Sequence, residues 1–259
     1  MTNPGARPSS LVPEQATQQP CSSNMANLHR FSVAVLLGAL MAACVPTTPL
    51  PQTTAGGPPE SFPERYYLRA LADHRAVYAI DPASSLVVID VRRGGPLARL
   101  GHDHVVSSHD ARGYVAPDEG RADMYFELDR LVVDEPALRA DAGFDSTPSE
   151  DDVAGTRRNM LARVLDAKSH PFALVSVTDA QDRSDPAMRN VEITLRGATH
   201  VYRVPVDLRA TPGEIAAGGR LSIRQTDFGI EPLAILNGAI QVQDELELRF
   251  AIVARLARN

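Results

Sequence analysis

The chain has 259 residues, 44% of them hydrophobic, and carries 26 basic against 32 acidic side chains for a net charge of −6. That length supports one core of ordinary size or two small ones. An acidic balance excludes the broad basic surface that nucleic-acid binding requires, and Cys21 and Cys44, both near the start, leave nothing to staple a domain.

Residues 1–24 carry no fold signal and read as a disordered, over-long start upstream of Met25. Residues 25–43 then give a short region with Arg30 and an apolar run from Phe31 to Ala43 that ends in small residues. This is the layout of a bacterial export signal. The run of 13 residues is too short for a hydrocarbon core of about 30 Å, which takes roughly 20 residues of helix. The ending Met41-Ala42-Ala43-Cys44 resembles the lipobox of bacterial lipoproteins, with Met41 in place of the usual leucine, and that resemblance implies acylation of Cys44. Acyl chains contribute about 0.8 kcal/mol per buried methylene, so several on one cysteine would hold a water-soluble domain on a membrane. The expected location is the bacterial cell envelope, periplasm-facing and membrane-anchored through Cys44. Cleavage there removes Arg7, Arg30 and Glu14, which leaves 24 basic against 31 acidic residues.

A linker follows over residues 44–63, where six prolines and four threonines with little apolar content read as an extended tether. At about 3.1 Å per residue it reaches roughly 60 Å at most. Residues 64–259 form the expected single folded domain.

Strand patterns dominate that domain. In DELELRFAIVARL, Leu246, Leu248, Phe250 and Ile252 alternate with polar positions; in ADMYFELDRL, Ala122, Met124, Phe126 and Leu128 share one face. Period two marks strands with one buried face. Further strands are expected from residues 77, 86, 104, 112, 172, 191, 200 and 218, most of them bounded by turn residues. One helix is expected: Ser149 and Asp152 make a capping box, and Met160, Leu161, Val164 and Leu165 recur at helical spacing until Pro171. About ten antiparallel strands must hide their edges, which favours a closed barrel or a sandwich.

Two histidines stand two apart in LGHDHVV, residues 100–106. If that stretch is extended, His102 and His104 share a face about 6.5 to 7 Å apart at the backbone, and with His109 they could hold a metal ion. The competing reading has these imidazoles bonded to backbone or carboxylate partners at a turn after Gly101. No nucleophile elbow, zinc-protease motif, phosphate loop or dinucleotide fingerprint occurs in the sequence. Catalysis is therefore not expected.

Three segments in order give a resemblance. Tyr78, Ile80 and Asp81 open the pattern, Pro171 and Phe172 enter a strand, Leu195, Gly197, Thr199 and Pro205 fit a hairpin, and Arg224, Asp227, Phe228, Gly229 and Ile230 fit a late turn. Over residues 76–255 the chain resembles the YceI-like family of exported lipid-binding proteins. The resemblance implies an all-β fold, an antiparallel lipocalin-like β-barrel with one inserted helix and an apolar interior that takes a polyisoprenoid. It also implies an isoprenoid or similar amphiphile as partner, no required cofactor, no nucleic acid and a possible homodimer. Cavity candidates are Met124, Phe126, Leu128, Phe172, Leu174, Phe228, Leu246, Leu248, Phe250 and Ile252, with ordinary core packing as the alternative for each.

Overall fold

The computed structural model describes residues 57–144, 146–180, 185 and 187–257. The expectations for the leader, for Cys44 and for the first part of the linker lie outside those residues. Gly57 to Pro63, the rest of the linker, run into the folded unit, where Phe62 is buried.

The strands are β1 (Tyr78–Ile80), β2 (Leu86–Val91), β3 (Arg93–Gly94), β4 (His104–Ser108), β5 (Arg112–Ala116), β6 (Arg121–Glu127) and β7 (Val132–Val133). They continue as β8 (Phe172–Asp179), β9 (Met188–Leu195), β10 (Ala198–Thr211), β11 (Glu214–Arg224), β12 (Ala234–Ile235), β13 (Ile240–Val242) and β14 (Glu245–Leu256). The ring runs β1-β5-β6-β8-β9-β10-β11-β14, and β1 pairs back onto β14 through Tyr78↔Leu256 and Ile80↔Ala254. Every pairing is antiparallel, so the result is a closed eight-stranded barrel. Closure removes the exposed edges that an open sheet would carry.

Three of the eight staves are broken. β1 and β2 both lie along β14, with Tyr78–Ile80 on its end and Leu86 to Asp90 on its start. Asp81 makes the break: its carboxylate accepts from the Ala83 amide and the Ser84 hydroxyl and pairs with Arg255 at 2.9 Å. β4 and β5 form the next broken stave, and Gly113 (φ +149°) sits where an added Cβ would lie 2.1 Å from the Asp123 carbonyl oxygen. Only glycine permits that approach. β6 and β7 form the third, with a 3₁₀ turn over Leu128–Arg130 between them. Leu128, expected on a strand, therefore sits in a turn, though it is still buried.

The barrel carries three α-helices among the described residues rather than the one expected: α1 (Glu64–Ala72), α2 (Pro136–Asp141) and α3 (Glu150–Asn159). The first two are 9 and 6 residues long, too short to show a sustained helical period. α3 begins at Ser149 as expected, with both halves of the capping box formed. It ends well before Pro171: a π-helical turn over Met160–Val164 closes it, and Asp166 takes φ +44°. The hydrophobic residues at 160, 161, 164 and 165 thus pack on the barrel end from a widened π turn, not from a continuous α-helix.

A tunnel through the barrel and its two ends

Inward side chains alternate along every long strand. β14 contributes Leu246, Leu248, Phe250 and Ile252; β6 contributes Met124 and Phe126; β9 contributes Val191 and Ile193. Together they enclose a cavity of about 760 Å³, walled almost wholly by aliphatic and aromatic side chains along the length of the barrel. Gly219 helps make this room, since its register partner is Phe250 and a Cβ there would lie 2.8 Å from the Phe250 ring. A side chain at 219 would push that ring into the tunnel.

Eight of the ten cavity candidates line this space: Met124, Phe126, Leu128, Phe228, Leu246, Leu248, Phe250 and Ile252. Phe172 and Leu174 do not. Register puts Leu174 opposite Tyr125 and Phe172 opposite Glu127, on the outer face of the sheet. Their neighbours Ala173, Val175 and Val177 supply the inward side chains of β8. The expectation failed because this wall is apolar on both faces. Outside it, α1 and the chain before it lay down an aromatic layer: Tyr67 stacks on Tyr114 at 5.1 Å, and Phe62 meets Tyr125 edge-on at 5.0 Å. Phe172 joins that layer against Tyr125 at 6.0 Å. Beneath it the Tyr67 hydroxyl donates to Asp123 Oδ2 at 2.6 Å, and Arg121 pairs with the same oxygen. Burial, then the bond to Asp123, pushes the Tyr67 hydroxyl well above the ordinary tyrosine range.

One end of the barrel is formed by α3, the Gln225–Phe228 turn, the β12–β13 hairpin and the segment from Arg92 to His102. The late turn is pinned by Asp227, which accepts from Tyr202 and Arg224 at 2.9 Å each, while Gly229 (φ +65°) reverses the chain. Phe228 is thereby held in the tunnel end. The histidines stand here too. His102 lies just before β4 and His104 is its first residue, with ring centres 6.2 Å apart. His104 Nδ1 lies 2.6 Å from Asp134 Oδ2, and a carboxylate only accepts, so Nδ1 donates. Asp134 is itself buried, accepts the Val105 amide and pairs with buried Arg139 at 2.5 Å. Burial pushes its carboxyl up, but the bonds from His104, Val105 and Arg139 outweigh that and hold it below its ordinary range. The other ring nitrogen of His104 faces the Thr156 hydroxyl at 3.3 Å.

His109 is elsewhere, exposed and bonded to Glu135 at 2.9 Å. The three histidines therefore do not gather around one ion. Among the described residues no three His, Cys, Asp or Glu side chains are placed to hold a metal. What the pattern of LGHDHVV encodes at His104 is a buried Asp134–His104 pair that ties β4 to the residue after β7.

The opposite end differs. It is lined by Pro117, Gly120, Arg121, Asp179 and Arg189, with Arg189 paired to Asp179 at 3.2 Å. The α3 end likewise carries charges, Arg92, Arg93, Asp151 and Asp152, but sets them beside exposed aliphatics of the β12–β13 hairpin.

A closed antiparallel eight-stranded barrel around an apolar tunnel defines a lipocalin-like architecture. The family model for the YceI-like domain matches residues 78–254, and the chain belongs to that family. A comparison with curated proteins finds no match. Among solved structures the chain is similar to a polyisoprenoid-binding domain from Saccharophagus degradans implicated in plant cell wall breakdown. That pair is 12% identical with a TM-score of 0.49, covering 70% of this chain and 98% of the other. It is also similar to BcnA from Burkholderia cenocepacia, at 16% identity and TM-score 0.44 over 68% of this chain and 99% of that one. The Campylobacter jejuni YceI protein follows at 12% identity and TM-score 0.37, over 57% and 81%.

Proposed function

We propose that this protein is an exported carrier that holds one isoprenoid or similar long amphiphilic lipid in its barrel, with binding rather than catalysis as its activity. The tunnel carries the reading. Its volume of about 760 Å³ lies within the roughly 300–1,000 Å³ of small-molecule sites. Its wall offers few polar partners, so a ligand gains mainly by leaving water, at about 25 cal/mol per Å² of apolar surface. Such a wall selects for a long hydrocarbon and discriminates weakly among headgroups. Extraction of the protein, purified from a bacterial envelope without detergent, into organic solvent tests this by mass analysis of the released lipid. An isoprenoid or related amphiphile near one per chain supports the carrier; protein that leaves such an envelope with no lipid contradicts it.

The carrier is further proposed to face the periplasm on a tether from an acylated Cys44. Support comes from the lipobox-like ending and the proline-rich segment behind it. Fractionation of a Cys44→Ser variant checks this: the wild-type chain is expected with membranes and the variant in the soluble fraction, and equal partition of the two would remove the anchor from the account.

A further inference from the structure

The β12–β13 hairpin turns through a run of left-handed residues. Leu236, Asn237 and Gly238 run through its four-residue loop at φ +51°, +55° and +83°, and the Gly238 amide donates back to the Ile235 carbonyl at 3.1 Å. Such turns favour asparagine, aspartate or glycine at those positions, because a side chain with φ above zero crowds the backbone. Leucine here is strained, and it is also 66% exposed, with Ile235 beside it at 49%. Neither burial nor turn geometry explains an aliphatic residue at that tip. Strain of this kind persists where the position serves a purpose.

The tip is not isolated. The Leu97 amide donates to the Ala239 carbonyl at 2.8 Å, which sets the turn that follows Gly95 against the hairpin. That turn presents Leu100, 61% exposed, next to exposed Arg99. The same two segments wall the tunnel end through Gly101, Leu233, Ile235 and Ile240. An exposed aliphatic rim therefore continues directly into the apolar interior. Asp151 and Asp152 of α3 stand at this end with Arg92 and Arg93, so the rim is mixed in charge and carries no single-sign field.

We infer that Leu100, Ile235 and Leu236 form the surface by which this protein docks on a lipid bilayer, setting the α3 end of the tunnel against the membrane. The inference rests on the carrier reading, because a long hydrocarbon can pass from bilayer to barrel without crossing water only if the tunnel end meets the membrane. Three side chains on a small tip cover far less than the roughly 800 Å² per partner of a stable protein interface. They suit shallow insertion at the boundary between headgroups and acyl chains.

The sequence contains no tryptophan, so one introduced residue reports its own surroundings. Full-length Leu236→Trp and Leu68→Trp, the latter on α1, would be mixed with phosphatidylcholine–phosphatidylglycerol vesicles with or without bromine on the acyl chains, after circular dichroism has shown both to be folded. The inference expects Leu236→Trp emission to shift blue and to lose at least half its intensity to brominated chains, with Leu68→Trp unchanged; Leu100→Trp should follow Leu236→Trp. Equal or absent quenching at the two sites overturns it, and so does a shift at 236 that tracks protein concentration without vesicles, which would assign the tip to a second copy of the chain. Lipid extracted from the same samples separates the two ideas: bound lipid without quenching sinks the docking surface alone, whereas quenching without bound lipid sinks the carrier and leaves the surface.

Discussion

The two walls of the barrel are built on different principles. β10, β11 and β14 face the tunnel on one side and solvent on the other, so polar and apolar residues alternate along them. β5, β6 and β8 face the tunnel on one side and the aromatic layer under α1 on the other, and five consecutive residues of β6 are buried. The first wall can be read from period two; in the second β6 still can, but the FALVSV stretch of β8 cannot, because apolar residues on both faces erase its alternation. The covered wall also buries Asp123 and Glu127 beside the wholly buried Tyr67, so a substitution under α1 is costly.

The largest effect is therefore expected at Tyr67, which is wholly buried against Tyr114 and bonded to Asp123. Tyr67→Ala should cost about 3–5 kcal/mol in urea unfolding, as for other buried aromatics. Leu68→Ala, one residue on but half exposed, should stay within about 0.5 kcal/mol. If the two variants unfold alike, the covered wall does not hold the barrel as described.

Next in size is Asp134→Asn, which weakens the charge-assisted bonds to His104 and Arg139 and should cost about 1.5–3 kcal/mol. Its signature is in pH. The folded Asp134 carboxyl is held below its ordinary value of 3.8, so its contribution is full above that value and is lost as pH falls through the depressed folded value. Acid titration of stability should therefore be shallower below pH 4 in Asp134→Asn than in the wild type. Parallel curves would show that the pair contributes nothing at this pH.

A third variant sharpens the contrast of inside and outside. Ala217→Trp places a large ring in the tunnel from β11, where its neighbours in the register are Leu208 and Ile252. It should abolish bound lipid while changing stability by less than the 1–3 kcal/mol that overpacking costs a filled core. The smallest effect belongs to Glu247→Gln on the exposed face of β14, for which neither lipid content nor melting temperature should move measurably.

Much of this was legible in the sequence. The alternating runs at 122–128 and 246–252 place their inward residues correctly, and the capping box at Ser149 and Asp152 starts α3 where expected. The family motifs proved to be turn chemistry: Asp81 breaks a stave, the Thr194–Thr199 bond of 2.8 Å supports the hairpin around Gly197, and Asp227 fixes the late turn. What the sequence concealed depends on distant partners. Nothing near His104 announces that Asp134, 30 residues on, will bond its ring, and nothing in FALVSV says which face α1 leaves free. The partners of the histidines were hidden for that reason: spacing along a strand fixes direction, but Asp134 and Glu135 come from a broken stave elsewhere.

The most direct test of the central claim is native mass spectrometry of the wild-type chain and Ala217→Trp, both recovered from the same bacterial envelope without detergent. The account predicts a wild-type complex heavier than the bare chain by several hundred daltons, released on activation as an apolar lipid, and a variant at its bare mass. An equal adduct on both, or none on the wild type, would mean that the tunnel is not where this protein carries its cargo.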